Sequence, residues 1–460
     1  MSNSIRFKPW LITAITLLGA LGLIVFTPWF VGEVRGSATS SRFEANYPLT
    51  FPSDFDWGVA VAAQHVEHQQ PSDWTASERR VIKEGKTGTG AQPGQAKPGH
   101  IRNLDSVSDE VRLKKVDFDT RYESDFEALA ELGLNSYRFS LSWARLFPRA
   151  DMTEPDPAGI TFYREVIAAA KKNGLKPHVS LFHFSTPEWF WEEQGGERGW
   201  EREDALQHWN RYVTAVSELL GPEISHWCTL NEPMVYVLWG YLEGIFPPLE
   251  QRANPEATAP VVARLLEAHA SAYQILHRDA AQRHQSIEVG LTQHTRAFEP
   301  WRNWHLFDRL AADFIQQAFI WDIFDAIESG TYTMTDSEYQ RTIDGLEGTQ
   351  DYVGINYYGR FYVQMDADAL DKGPVTHTRD PRDAEELASD LDWALYPIGF
   401  SQTLEEAWTR YGKPIQILEN GIADAANPDT LRQTFLTSHL REVWHAMNIR
   451  GVDIDGYFHW

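Results

Sequence analysis

Apolar, strand-like segments alternate with amphipathic helical patterns along most of this chain. Between residues 117 and 132, large apolar side chains recur every three or four positions, which is the period of a helix face, and the segment 135–141 that follows is typical of a strand. The same unit repeats until eight strands can be counted. Strands that alternate with helices pair in parallel through right-handed crossovers, and eight such strands close into a barrel. The sequence therefore predicts an α/β fold of the (β/α)8, or TIM-barrel, class.

The predicted barrel occupies residues 51–460 as one domain, since a chain of 460 residues can bury one large core. Strands are expected at 51–60, 135–141, 176–183, 224–230, 287–293, 351–356, 414–418 and 452–460. Helices are expected at 117–132, 159–172, 204–220, 259–284, 304–328, 400–411 and 430–447. The eighth strand is expected to be truncated and the eighth helix absent. An open, doubly wound sheet is the alternative, but it would need a Gly-rich nucleotide turn after the first strand, and the sequence has none there.

Two of the predicted strands end in a glutamate. Glu232 follows the strand 224–230 and precedes Pro233. Because proline has no N–H to donate to a neighbouring strand, this strand should stop there. Glu419 ends a second apolar strand and precedes the turn Asn420-Gly421. Barrel enzymes keep their chemistry at the carboxyl ends of the strands, and glycoside hydrolysis needs two carboxylates, one as nucleophile and one as proton donor.

The composition excludes several partners and cofactors. The formal net charge of −24 argues against nucleic-acid binding, because phosphates need a basic surface. The single cysteine, Cys228, excludes an intrachain disulfide and a cysteine-based metal site, and no metal or cofactor is expected. Aromatic residues make up 13% of the chain, with 18 Trp. Flat apolar rings suit sugar faces, although most of these residues can equally fill a barrel core.

Residues 10–31 form an uncharged, apolar run, long enough to span a hydrocarbon core of roughly 30 Å. Arg6 and Lys8 precede this run, which favours a cytoplasmic amino terminus and a catalytic part on the other side of the membrane. A cleaved signal peptide is the alternative, but its apolar region is usually ~7–15 residues long and an A-x-A cleavage site would follow. We therefore expect a cytoplasmic start, a single-pass anchor and the start of a linker within 1–36, and linker at 37–50.

Five motifs occur in order along the predicted barrel. They are Tyr-Arg-Phe-Ser-Leu-Ser-Trp at 137–143, Leu-Phe-His at 181–183, Thr-Leu-Asn-Glu-Pro at 229–233, Gly-Ile-Asn-Tyr-Tyr at 354–358 and Leu-Glu-Asn-Gly at 418–421. Together they resemble glycoside hydrolase family 1, the β-glucosidase and β-galactosidase family, over about residues 51–460. The resemblance implies that Glu232 is the acid/base and that Glu419 is the nucleophile.

The resemblance also implies a set of substrate-binding residues around these glutamates. They are His183, Asn231, Tyr358, Arg138, Asn356, His65 and Trp460. Arg138 and Tyr358 are expected to hold the nucleophile, since a guanidinium lowers the pKa of a carboxylate and a phenol can donate to it. The proton donor should have a raised pKa. The alternatives are an internal ion pair for Arg138, a packed core histidine at His183 and simple packing at Tyr358.

Three features depart from the family pattern. His65 replaces the usual Gln of the first-strand motif and His68 replaces a Gly, while Phe184-Ser185 stands where Trp-Asp is usual. These changes resemble a divergent, membrane-anchored branch that contains the plant freezing-tolerance galactolipid galactosyltransferase. The family's eighth strand continues into a sugar-binding Glu-Trp pair, whereas this sequence stops at Trp460, which is expected for a fragment.

The function that the sequence supports is that of a retaining β-glycosidase, which hydrolyses terminal β-linked glucose or galactose through a covalent glycosyl-enzyme intermediate. The substrate is a β-glycoside or a glycolipid. A galactolipid-directed transglycosylase that uses Glu232 and Glu419 in the same way is the first alternative. The second is an inactive carbohydrate-binding barrel.

Overall fold

The structure is a computed structural model that describes residues 49–84, 113–365, 373–425 apart from 381 and 384, and 430–460. The expected membrane anchor at residues 10–31 and nearly all of the expected linker lie outside these residues. Within the described ranges, the structure contains no helix whose length and hydropathy would let it cross a bilayer.

Eight parallel strands form the core of the fold. They are β1 (Asp56–Val61), β2 (Ser136–Ser140), β3 (Lys176–Phe182), β4 (His226–Asn231), β5 (Glu288–Pro300), β6 (Val353–Gln364), β7 (Ile415–Asn420) and β8 (Ile454–His459). Consecutive strands pair in parallel from β1 to β8, and β8 pairs with β1, so the sheet closes on itself. The predicted (β/α)8 barrel is confirmed.

Helices connect consecutive strands on the outside of this barrel. The long ones are Phe118–Glu131, Pro157–Lys172, Ala205–Leu219, Ala259–Gln282, Leu306–Gln316, Asp322–Ser329, Pro397–Tyr411 and Thr430–Arg450. A further helix, Asp73–Glu84, lies in the connection between β1 and β2, together with the short helix Ala63–Val66. Gly133 and Gly174 adopt φ values of +83° and +75° just beyond two of the helices, as expected of residues that end a helix in the left-handed conformation.

The eighth strand, which was predicted to be truncated, is long enough to pair with both of its neighbours. β8 has six residues, as many as β1 and β7, and it pairs with both of them. Residues 454–459 are sufficient because the register brings Asp56 opposite Gly456 and Val59 opposite His459. The barrel therefore closes within the chain described.

The helix predicted over residues 304–328 is interrupted. It is divided by a π-helical turn, Gln317–Trp321, at which the Nε2 of Gln293 donates to the backbone oxygen of Phe319 at 2.5 Å. A side chain that inserts into a helix in this way takes a carbonyl from the i→i−4 ladder and bends the helix. Gln293 comes from β5, so the interruption depends on a long-range contact.

β5 and β6 extend well beyond their predicted ends. The two strands pair as far as Pro300 and Val363, past the barrel rim. The segment 294–300 is rich in polar and charged residues and therefore lacks the apolar pattern of a barrel strand. Pairing with β6 makes it a strand nevertheless, and it carries two residues of the candidate site, His294 and Arg296.

Candidate active site

Glu232 lies at a strained turn immediately after β4. Its backbone has φ +49° and ψ 57°, a left-handed conformation that is uncommon for residues other than glycine, and Pro233 begins a short helix directly after it. The Glu232 N–H donates to the Thr292 carbonyl oxygen of β5 at 2.8 Å. β4 thus stops where the proline predicted, and Glu232 is buried at its carboxyl end.

Glu419 lies near the carboxyl end of β7, and hydrogen bonds hold both of its carboxylate oxygens. The Nη1 of Arg138 donates to its Oε1 at 2.6 Å, and the Tyr358 hydroxyl donates to its Oε2 at 2.6 Å. Arg138, from β2, is almost completely buried, so this ion pair is shielded from water. The two residues that the sequence analysis expected beside Glu419 are both in contact with it.

A chain of amide groups connects the two glutamates. The Nη2 of Arg138 donates to the Oδ1 of Asn231 at 2.5 Å. The Nδ2 of Asn356 donates to the Oε1 of Glu232 at 2.8 Å and, more weakly, to the Oδ1 of Asn231 at 3.4 Å. Asn356 is itself held by the Thr292 hydroxyl at 2.9 Å. Asn231 and Asn356 are fully buried and bind other site residues, so they position the carboxylates.

His65, His183 and Trp460 lie together at one side of this network. The ring of Trp460 stacks on His183 with centroids 5.6 Å apart and meets His65 at 5.7 Å. His183 is buried, and its Nε2 lies 3.1 Å from the Nδ2 of Asn231. Its Nδ1 has no hydrogen-bond partner within the described part of the chain, which leaves one ring nitrogen for a ligand hydroxyl.

Trp460 is held close to β7 by its backbone. Its N–H donates to the Asn420 carbonyl at 3.0 Å. A Cβ at position 421 would lie only 1.9 Å from the Trp460 carbonyl oxygen, so only glycine fits there. The loop that follows Glu419 therefore fixes the position of Trp460 relative to the site.

The comparisons with known proteins agree on a family. The glycosyl hydrolase family 1 model matches residues 47–460. The chain belongs to glycosyl hydrolase family 1. The raucaffricine-O-β-D-glucosidase of Rauvolfia serpentina is 28% identical over 476 residues, covering 89% of this chain and 83% of that protein. The coniferin β-glucosidase of Pinus contorta is 29% identical over 486 residues, covering 96% and 89%. The structure of the β-glycosidase from Pyrococcus horikoshii is also similar, with a TM-score of 0.74 and 32% sequence identity. The match covers 90% of this chain and 86% of that one.

Sequence reasoning missed two residues of this family 1 site. The Nδ1 of His294 lies 3.1 Å from the Oε1 of Glu232, and the Nε of Arg296 donates to the Nε2 of His294 at 2.8 Å. Because Nε2 accepts this bond, the proton of the neutral imidazole is on Nδ1, where it points at Glu232. The signal in the sequence was a His-x-Arg pair directly after the predicted strand 287–293, which is the edge where the other site residues lie.

Arg296 is a buried cation, and no carboxylate among the described residues is in direct contact with it. Its guanidinium lies 4.1 Å from the ring centroid of Phe361 and 3.9 Å from that of Trp393, at cation–π distance. Burial lowers its pKa to about 9, so that the group is still charged at neutral pH. Its charge acts on Glu232 through the His294 imidazole.

The protonation of the two glutamates differs from the sequence prediction. Burial raises the pKa of Glu419 to about 7, helped by the charge of Glu232 and opposed by Arg138 and Tyr358. Burial also acts to raise the pKa of Glu232, but His294, Asn356 and Arg138 outweigh it and hold that pKa below its usual range. The sequence predicted the reverse directions, because nothing in it placed His294 beside Glu232. As the pH falls below about 7, the two carboxylates therefore come to hold one proton between them.

Phe184, which replaces the Trp that is usual in family 1, belongs to a half-buried aromatic cluster next to His183. Its ring centroid lies 5.6 Å from that of Phe246, and Phe246 in turn lies 5.0 Å from Trp74 and 6.3 Å from Trp239. The Nε1 of Trp74 donates to the Phe184 carbonyl at 2.8 Å and fixes the turn. An apolar surface thus adjoins the polar network.

Proposed function

We propose that this chain is a retaining β-glycosidase that hydrolyses terminal β-linked glucose or galactose. The observation that carries the proposal is that Glu419 is held on both oxygens by Arg138 and Tyr358, while Glu232 lies in the same buried network at another strand end. A nucleophile must be held still and kept anionic, whereas an acid/base must exchange a proton.

The first step forms a glycosyl-enzyme ester. One oxygen of Glu419 attacks the anomeric carbon, the bond from that carbon to the glycosidic oxygen breaks, and Glu232 gives its proton to the leaving oxygen. The hydrogen bonds from His294 and Asn356 both end on Oε1 of Glu232, so Oε2 is the oxygen that carries the proton. In the second step, Glu232 takes a proton from water, which attacks the anomeric carbon and releases Glu419.

The reactive form has its shared proton on Glu232. In the free enzyme, the shifted pKa values favour the proton on Glu419, so it has to move when the substrate binds. The hydrogen bonds from Arg138 and Tyr358 favour the Glu419 anion, and the positive charge that develops on the sugar ring in the transition state favours it further. The aromatic face of Trp460 and the free ring nitrogen of His183 are the sugar-binding groups, and His65 lies at their edge.

Glucose with an apolar aglycone is the preferred substrate. The two relatives described above are glucosidases by name. The cluster of Phe184, Trp74, Trp239 and Phe246 adjoins His183 and supplies a flat apolar surface for the leaving group.

Galactolipid-directed transfer is the second candidate function. The same aromatic cluster suits a lipid acceptor, and His65, His68 and residues 10–31 resemble the membrane-anchored galactosyltransferase branch. The same two glutamates would act, with an acceptor hydroxyl in place of water in the second step. An inactive carbohydrate-binding barrel is disfavoured because both glutamates are present and partnered.

Product analysis tests these functions. We expect turnover of 4-nitrophenyl β-glucoside or β-galactoside, with no turnover of the α-glucoside, and ¹H NMR should show the β-anomer as the first sugar released. Monogalactolipid in mixed micelles is the second substrate: free hexose alone indicates hydrolysis, and oligogalactolipid indicates transfer. The α-anomer as first product, or no turnover of any β-glycoside, would contradict the proposed mechanism.

The pH dependence should report on the His294–Arg296 pair. The activity of the wild type should fall as the pH rises through about 7, because the pair of glutamates loses its last proton and no acid is left. Arg296→Gln removes a positive charge that favours the doubly ionised pair, so the alkaline limb of kcat/KM should move up by roughly one pH unit. Arg296→Lys is the matched control that keeps the charge. If the alkaline limb of the kcat/KM profile stays unchanged in Arg296→Gln, the charge of Arg296 has no effect on the protonation of the glutamate pair.

The membrane location also belongs to this proposal. Residues 10–31 are proposed to anchor the chain, with the barrel on the non-cytoplasmic side. Carbonate-washed membranes should retain the full-length protein, and a protein that lacks residues 1–36 should be released. Release of the full-length protein, with its amino terminus intact, would rule out the anchor.

A further inference from the structure

A second cluster of ionisable side chains lies at the amino-terminal mouth of the barrel, at the opposite end from Glu232 and Glu419. It consists of Asp56, His178 and His226, which lie at or near the starts of β1, β3 and β4. Each offers one ligand atom, and these three atoms lie within 4.8 Å of one another. The proposed glycosidase mechanism uses none of them.

Two pairs of donor atoms are spaced nearly as a metal ion would hold them. The Nε2 of His178 lies 3.2 Å from the Oδ2 of Asp56, and the Nε2 of His226 lies 3.5 Å from the Oε2 of Glu288, at the start of β5. A tetrahedral zinc site with bonds of about 2.0–2.1 Å places its donor atoms about 3.3 Å apart. The rings of His178 and His226 stack with their centroids 4.3 Å apart, which places the two pairs side by side.

The groups around the cluster suit an outer shell of ligands. The Ser225 hydroxyl lies 2.8 Å from the Nδ1 of His226 and can orient that ring with Nε2 toward the cluster. The Nε2 of Gln416 donates to the Oε2 of Glu288 at 3.0 Å. Gln416 is almost fully buried, and its Oε1 has no partner among the groups that the structure describes. An unsatisfied buried acceptor beside a carboxylate indicates a missing donor, such as a metal-bound water.

The charges at this mouth also favour a cation. Asp455 interacts electrostatically with both Asp56 and Glu288, so several carboxyl groups share this mouth. Lys176 contacts Asp56 at 2.8 Å, but its side chain is 40% exposed and can turn to solvent.

We propose that Asp56, His178 and His226 bind a divalent transition-metal ion, with Glu288 as the fourth ligand and Lys176 displaced. Two imidazoles and two carboxylates suit Zn²⁺. The ion would join β1, β3, β4 and β5 at the end of the barrel that contributes to stability rather than to chemistry.

Zinc titration of the chelator-treated, full-length protein tests this site. We expect binding of one Zn²⁺ per chain, an increase in Tm of about 2 °C or more, and a visible d–d spectrum of tetrahedral type when Co²⁺ is substituted. His226→Asn and Glu288→Gln should weaken Zn²⁺ binding, the first by about 100-fold or more. His284→Asn, at an exposed histidine, is the control and should bind as the wild type does.

Lys176→Met separates a metal site from an internal ion pair. If Lys176 competes with the metal, its removal should tighten Zn²⁺ binding by about tenfold. If the cluster is only an ion pair, Lys176→Met lowers Tm and Zn²⁺ does not restore it. Binding that survives in both His226→Asn and Glu288→Gln, or no binding to the wild type, would overturn the proposal. The kcat for nitrophenyl glycosides should stay within about twofold in all of these variants, because the mouth lies at the far end of the barrel from the glutamates.

Discussion

Replacing Glu419 with alanine is expected to lower kcat for a 4-nitrophenyl β-glycoside on the order of 10⁴-fold or more. The reason is that the nucleophile is lost, and Arg138 and Tyr358, which hold it at 2.6 Å each, are left with an empty position and cannot replace it. The thermal unfolding of the variant should be measured as well. A buried carboxylate has been removed, so the fold must be shown to be intact before the loss is assigned to chemistry.

Added azide should restore turnover of Glu419→Ala and produce the α-glycosyl azide. A small anion can enter the space that the carboxylate leaves and attack the anomeric carbon once, so the configuration is inverted. Glu131→Ala, an exposed position at the end of a helix, is the control for a lost glutamate without a role in the site. A Glu419→Ala variant with near-normal kcat would end the assignment of this residue as nucleophile.

Replacing Glu232 with alanine should produce a loss that depends on the leaving group. For an alkyl glycoside, whose leaving oxygen needs a proton, we expect kcat to fall by about 10²–10⁴-fold. A dinitrophenyl glycoside leaves without protonation, so it should form the glycosyl-enzyme ester at a rate close to that of the wild type. The ester should then accumulate, because no base activates water, and a pre-steady-state burst should reveal it.

Azide should accelerate the second step of Glu232→Ala and yield the β-glycosyl azide, since it attacks the ester that Glu419 has already formed. The two variants therefore give opposite azide anomers, which assigns each glutamate to its step without reference to the size of the loss. His294→Asn serves as the comparison: it keeps Glu232 but breaks the contact with Arg296, so only the pH profile should change. The same azide anomer from both glutamate variants would contradict the assignment.

The order of the strands and the positions of the two glutamates could be read from local patterns. Helical periodicity and apolar runs are properties of neighbouring residues, and Pro233 stops β4 wherever that strand lies. Because every parallel strand of such a barrel ends at the same rim, the position of Glu232 and Glu419 at strand ends was sufficient to predict that they share one end of the barrel. The family motifs added the partners of Glu419.

The sequence by itself thus determined the barrel and the end of the barrel at which Glu232 and Glu419 lie. Only the tertiary structure decided that His294 contacts Glu232 and that Arg296 contacts His294. It also decided that the pKa values of the two glutamates shift in the directions opposite to those predicted. Finally, it brought Asp56, His178 and His226 together at the other mouth of the barrel. The physical reason is that the decisive contacts, such as those of His294 with Glu232 and of Arg138 with Glu419, join residues that lie tens to hundreds of positions apart in the sequence. Which side chains meet depends on the register of the closed barrel, and the balance of burial against neighbouring charge exists only once the chain has folded.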